Sequence, residues 1–202
     1  MDFEKLIEEH TGKGMIEPDG LRLIAKGIEL AVKWDGDWMV EIGTWNANST
    51  AFIARCLKML PTKRHRLYSI DAYERRTDGE PYPSPDLAAN EATLRAWKVA
   101  GLVSLVAATS REAIEGQVPV GFSLVVIDGS HRYEDVAADL QLYGEELRPG
   151  GYLWLDDLKQ PYVGVIQAAE EFLRWSPGWR VIERASQSVL VQKIEATCEP
   201  SP

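Results

Sequence analysis

Hydrophobic residues recur along this chain in two alternating rhythms. Leu21, Ile24, Ile28, Ala31 and Val32 follow the i, i+3, i+4, i+7 spacing of one helical face, and Phe3, Leu6 and Ile7 predict a short helix before it. Trp38–Ile42 then reads as a strand, followed by a helix from about Ser49 to Leu60 that Pro61 stops. Leu67–Ile70 is a second strand, ending in Asp71. After a polar loop at 77–85, Asn90–Gly101 reads as a helix and Leu102–Ala107 as a strand, and Ser110 opens a short helix. Phe122–Ile127 is an unbroken apolar run. Val136, Leu140, Tyr143 and Leu147 form a helical stripe closed by Pro149-Gly150-Gly151, Tyr152–Leu155 is the next strand, and a helix spans about Pro161 to Trp175.

Strands that alternate with helices call for a parallel sheet covered on both faces. The end of the chain breaks this rule. Trp179–Glu183 and Ser188–Gln192 are joined by too few residues for a crossover helix, so they should pair as an antiparallel hairpin. The expected fold is a single α/β domain, a doubly wound sheet of five parallel strands plus that hairpin, with helices on both faces. The expected division is an N-terminal helical segment over 1–34 packing on the core, a main domain over 35–195 and a tail over 196–202.

Composition narrows the function. The chain has 202 residues, 45% of them hydrophobic and 26% charged, which suits one globular core. A formal net charge of −9 argues against nucleic acid or an anionic membrane surface as partner. No stretch reaches the ~18–20 apolar residues of a membrane span, and the acidic amphipathic start is unlike a targeting peptide. Cys56 and Cys198 have no framework spacing, so free thiols and a cytoplasmic location are expected, and Cys and His are too few for a structural zinc site. His10 and His65 read as surface residues. Neither the acceptor nor the oligomeric state is legible, and a homo-oligomer stays open.

The candidate chemistry lies where strands end. The run Val126-Ile-Asp128-Gly-Ser-His131 and the pair Asp156-Asp157 both follow apolar strands, at the sheet edge where open parallel sheets bind ligands. Three carboxylates there repel one another and call for a cation, and a hard divalent ion such as Mg²⁺ suits oxygen ligands. His131 is close by in sequence, and imidazole, titrating near about 6.5, can accept a hydroxyl proton. The turn Glu41-Ile-Gly43-Thr44 leads from a strand into a helix with Asn48, Ser49 and Thr50 as capping types, a place where backbone can approach a ligand. Only Gly43 stands where a dinucleotide fingerprint would have three glycines. Asp71 ends the second strand, where an acidic residue commonly takes ribose hydroxyls. Tyr73, Tyr82 and Trp45 could wall a cleft.

Taken in order, Glu41-Ile-Gly43, Ile70-Asp71, Val126-Ile-Asp128-Gly-Ser-His131-Arg-Tyr-Glu134, Leu147-Arg-Pro-Gly-Gly151 and Asp156-Asp157 resemble the class I S-adenosylmethionine (SAM)-dependent methyltransferases. The resemblance is to the small Mg²⁺-dependent O-methyltransferases, including sugar O-methyltransferases and relatives of the cephalosporin-hydroxylase-like group, and covers roughly Met15 to Val191. It implies that Glu41, Gly43, Thr44, Asn48, Ser49, Asp71, Ser110 and Asp128 bind SAM. It implies that Asp128, Asp156 and Asp157 hold Mg²⁺ and that His131, with Asp128, is catalytic. A plain helix N-cap is the other reading of Ser110. The resemblance also implies a small hydroxylated acceptor (sugar, polyketide or phenolic), and that Gly14–Pro18 closes over the cofactor. Ala47 departs from the group's second glycine, so Asn46 or Asn48 is expected to take the strained position. The competing readings are an NAD(P)-binding oxidoreductase and a SAM-binding protein without turnover.

Overall fold

The computed structural model describes residues 2–32, 38–61, 64–73 and 86–194. The expected polar loop at 77–85, with Tyr82, lies outside these residues, as does Cys198. In chain order the elements are α1 (Glu4–His10), α2 (Pro18–Ala31), β1 (Trp38–Ile42), α3 (Asn48–Met59), β2 (Arg66–Asp71), α4 (Leu87–Ala96), β3 (Val103–Ala107) and α5 (Ser110–Ile114). They continue with β4 (Phe122–Ile127), α6 (Tyr133–Glu146), β5 (Leu147–Leu155), α7 (Val163–Trp175), β6 (Trp179–Arg184) and β7 (Val189–Lys193).

The seven strands form one sheet in the order β3-β2-β1-β4-β5-β7-β6. The first five are parallel, and β7 pairs antiparallel with both β5 and β6. The period of two along each strand divides the core between the two faces. Met39, Leu67, Leu124, Val126 and Trp154 face a cluster with Ile24 and Ile28 of α2 and Phe52 and Ile53 of α3, which also holds Leu6 and Ile7 of α1. Val40, Ile42, Val125, Ile127 and Leu153 face Val136, Leu140 and Tyr143 of α6 and Val165 of α7. Both faces are covered, so β4 carries no polar alternation and all six of its residues are buried.

The largest departures from the sequence reading are at α4 and β5. Helix α4 starts at Leu87 because the Asp86 carboxylate accepts from the backbone N–H groups of Ala88 and Ala89. It ends at Ala96, and the chain reverses at Lys98, whose φ is 58°. Strand β5 begins at Leu147, five residues before Tyr152. Pro149 is tolerated inside it because β7 pairs only with Tyr152–Leu155, so no ladder partner from β7 requires the N–H that proline lacks.

In the sheet order, β1 lies between β2 and β4. Chain connections leave in opposite directions on either side of β1, and a crevice opens beyond the carboxyl ends there. Among the described residues, no helix is long and apolar enough to cross a membrane.

Candidate active site

The crevice is a cavity of about 570 Å³, within the usual range for small-molecule sites. The ends of β1, β2, β4 and β5, the start of α5 and the inner face of α6 enclose it.

Its floor is the β1–α3 turn. Gly43 has φ of 98°, and a Cβ there would stand 1.9 Å from the Asp128 carbonyl oxygen, so only glycine lets these two strand ends touch. The carboxylate of Asp71 accepts from the N–H groups of Thr44 at 3.1 Å, Trp45 at 3.0 Å and Tyr73 at 2.8 Å. Asp71 therefore fastens the turn while also lining the cavity. Thr44, Asn48 and Ser49 surround a small recess beside the cavity, closed by Gly14, Met15 and Ile16. Met15 and Asp128 border both spaces.

Glu41 does not line the cavity. It is fully buried beneath the turn, where it accepts from Thr50 Oγ1 at 2.5 Å and Ser69 Oγ at 2.6 Å, and burial raises its pKa to about 7. Ala47 itself takes the left-handed position, with φ of 58°, instead of Asn46 or Asn48. Its Cβ is locked among Ala51, Ala54, Leu94 and Val99, and that packing holds the strain in place. Asn48 does not cap α3 through its side chain, because its amide oxygen meets His10. His10 is buried, against expectation. Arg55 donates to its Nε2 and its Nδ1 donates to Asn48, a pairing of the neutral ring, and burial lowers its pKa to about 4. His65 is buried as well.

At the start of α5, Ser110 lines the cavity but is not the cap of that helix. That role belongs to Thr109, in a reciprocal capping box with Glu112. Behind Ser110 stands Asp139, which sequence reasoning missed. Its carboxyl is pushed up to about 7 by burial, against a hydrogen bond from Ser110 that lowers it, and its Oδ1 is buried with no hydrogen-bond partner among the described residues. The available signal was an acidic residue inside the apolar stripe of α6.

The far end of the cavity holds the reaction candidates. Asp128, His131, Asp156 and Asp157 all line it. Burial, then repulsion from Asp156 and Asp157, holds the Asp128 carboxyl well above the usual carboxylate range. Burial, then Asp157, raises Asp156 to about 7. Asp156 Oδ1 is buried with no hydrogen-bond partner among the described residues, whereas Asp157, at φ of 59°, meets His131. Among the described residues, no three His, Cys, Asp or Glu side chains stand close enough together to hold an ion as they are. His131 Nε2 lies 2.8 Å from Asp157 Oδ2, and its ring stacks on Tyr162 with centroids 3.8 Å apart. Gly164 presses α7 against this loop, since a Cβ there would be 2.7 Å from the His131 carbonyl oxygen. Tyr162 and Lys159 were not legible beforehand, because Leu158–Tyr162 has no periodic or motif signal. Trp45 lines the cavity, and Tyr73 is buried beside it.

A sheet with this strand order, a reversed seventh strand and a cofactor-sized crevice at the switch point has the class I methyltransferase fold. The sequence matches the family described as "Methyltransferase domain" over residues 40–158, more than half of the chain, and the protein belongs to that family. It is thus a SAM-dependent methyltransferase, which removes the nicotinamide oxidoreductase reading. No curated protein matches the sequence. Among solved structures, the O-methyltransferase NovP superposes with a TM-score of 0.74 at 16% identity, covering 95% of this chain and 88% of that one. The O-methyltransferase TomG from Streptomyces achromogenes, in complex with SAM, gives 0.65 at 16%, covering 94% and 90%. An O-methyltransferase from Bacillus cereus, in complex with SAH, gives 0.65 at 15%, covering 95% and 90%. At such identities these likenesses establish the fold.

Proposed function

We propose that the protein transfers the methyl group of SAM to a hydroxyl of a small molecule, a sugar, polyketide or phenolic compound, with Mg²⁺ assisting. The observation that carries this reading is the convergence of Asp128, Asp156 and the His131–Asp157 pair at one end of a cofactor-sized cavity. O-methyltransferases among the structural neighbours support the choice of oxygen as acceptor.

SAM supplies an electrophilic methyl on a sulfonium, so the protein's contribution is positioning and charge stabilisation. Gly43, Thr44, Asn48 and Ser49 border the space for the amino-acid end, and Asp71 and Ser110 border the nucleoside end. Glu41 acts from beneath, holding the turn through Thr50 and Ser69. With Nε2 donating to Asp157, the neutral His131 ring carries its lone pair on Nδ1. With SAM bound, its S–C bond would break as the acceptor O–C bond forms, and His131 would take the hydroxyl proton. Tyr162 stacking fixes the ring plane for that step.

Carboxylate oxygens such as those of Asp128, Asp156 and Asp157 suit a hard divalent ion, and Asp156 Oδ1, with no hydrogen-bond partner among the described residues, is the oxygen most open to one, although the three carboxylates must draw together to hold it. Mg²⁺, when bound, supplies charge neutralisation and lowers the pKa of an acceptor hydroxyl. Asp157 is engaged by His131 and Lys159, so ion binding competes with those contacts.

Calorimetry with SAM, followed by a screen of diols and catechols with methyl-labelled SAM with and without Mg²⁺, tests the proposal. Saturable SAM binding and Mg²⁺-dependent transfer to oxygen are expected. No SAM binding at millimolar ligand defeats the reading, and tight binding with no labelled product favours a SAM-binding protein without turnover.

A further inference from the structure

The acidic end of the cavity already contains a cation. Lys159 Nζ lies 3.7 Å from Asp157 Oδ1 and donates to the side-chain oxygen of Gln187. The tether is well built. Gln187 is buried, its carbonyl accepts from Leu158 N at 2.8 Å, and the Lys159 carbonyl accepts from Tyr162 N at 2.9 Å. The left-handed turn at Asp157 brings the lysine back over the carboxylate two residues before it. Lys159 lines the same cavity as Asp128, Asp156 and Asp157, with its side chain 41% exposed. Asp156 Oδ1 is buried with no hydrogen-bond partner among the described residues, so Lys159 does not pair with it.

We propose that Lys159, tethered by Gln187, is a built-in counter-cation of the acidic cluster that weakens and thereby sets the affinity for a divalent ion. The inference rests on the divalent-ion reading above and adds a residue to it. Before an ion arrives, Lys159 relieves the mutual repulsion of the carboxylates. Once an ion is present, the same charge repels it and shares Asp157 with it. Both effects are Coulombic, so they weaken with distance and with salt. Partial exposure screens Lys159, which keeps the effect near one order of magnitude rather than several.

The test is Mn²⁺ binding followed by the loss of the free-ion electron paramagnetic resonance signal, in the wild type, Lys159→Met and Lys159→Arg, with SAM affinity measured in parallel. Lys159→Met is expected to bind Mn²⁺ about tenfold more tightly at low salt. The gap should narrow at high salt, and Lys159→Arg should stay near the wild type. Thermal melts without ion should show Lys159→Met less stable and rescued by Mn²⁺, a response that a purely structural lysine would not give. Mn²⁺ uptake by the Met variant but not the wild type also supports the proposal, with Lys159 filling the ion's place. Equal Mn²⁺ affinity in the wild type and Lys159→Met overturns it while leaving the divalent-ion reading intact. No Mn²⁺ uptake by any of the three, with SAM binding preserved, overturns both.

Discussion

The His131 ring is held on two sides, by the Asp157 carboxylate 2.8 Å from Nε2 and by the Tyr162 ring stacked at 3.8 Å. The two contacts fix the plane of the ring, and an ionised Asp157 carboxylate selects the tautomer in which Nε2 donates. In the proposed reaction Asp157 would orient the ring, the role a carboxylate plays beside histidine in many catalytic sites.

His131→Ala should lower kcat by about 10²–10⁴-fold, the usual contribution of a positioned base. The SAM dissociation constant should stay nearly unchanged, because the residues proposed to border the cofactor are mostly others. Single-turnover assays beside calorimetry separate the two, and a loss confined to SAM affinity would contradict the base role.

Asp128→Asn removes a charge from the most crowded of the three carboxylates while keeping its shape. Turnover should fall by more than about a thousandfold, as expected when several kcal/mol of charge organisation is lost. Calorimetry should still detect SAM binding, since the turn at Gly43 and the Asp71 clamp are intact. Equal loss of both would count against the ion-binding role.

Gly43→Ala should destabilise the fold by at least about 3 kcal/mol, since a Cβ 1.9 Å from a backbone oxygen forces two strand ends apart and φ of 98° is strained for alanine. Gly116→Ala is the matched control, with nothing within 4 Å of its added Cβ. Thermal and urea melts of the two variants check the difference.

Asp139 makes stability depend on pH. Its carboxyl is raised from 3.8 to about 7 in the fold by burial, so the native state keeps a proton that the unfolded chain has released. Its contribution is most favourable below pH 4 and is lost as pH rises toward 7, about 4 kcal/mol in total. Asp139→Asn should remove that slope. The comparison is made as the difference between wild type and variant in urea unfolding from pH 4 to 8, because Glu41, Asp128 and Asp156 also titrate abnormally. A constant difference across that range would show that Asp139 is ionised throughout.

Hydrophobic periodicity placed all seven strands and put Asp71, Asp128 and Asp156 at carboxyl ends, and the short link between the last two strands made them an antiparallel hairpin. Each of these depends on contacts between near neighbours in sequence or on the rule that buried strands are continuously apolar. Pro149 read as a stop because a proline's cost depends on whether a neighbouring strand needs its N–H, which sequence does not show. Ala47 holds a left-handed turn only because Ala51, Leu94 and Val99 close around it.

The chain's own order of residues therefore determined the fold class, the edge of the sheet that carries chemistry and the acidic residues found there. Tertiary structure alone decided that Glu41 lies beneath the cavity, that His10 is a buried neutral anchor for Asn48, and that Asp157 faces His131 and Lys159 rather than a ready ion site. The physical reason is range. Strand and helix periodicity is a local property, whereas burial, pKa and the direction of a carboxylate are set by groups far away along the chain.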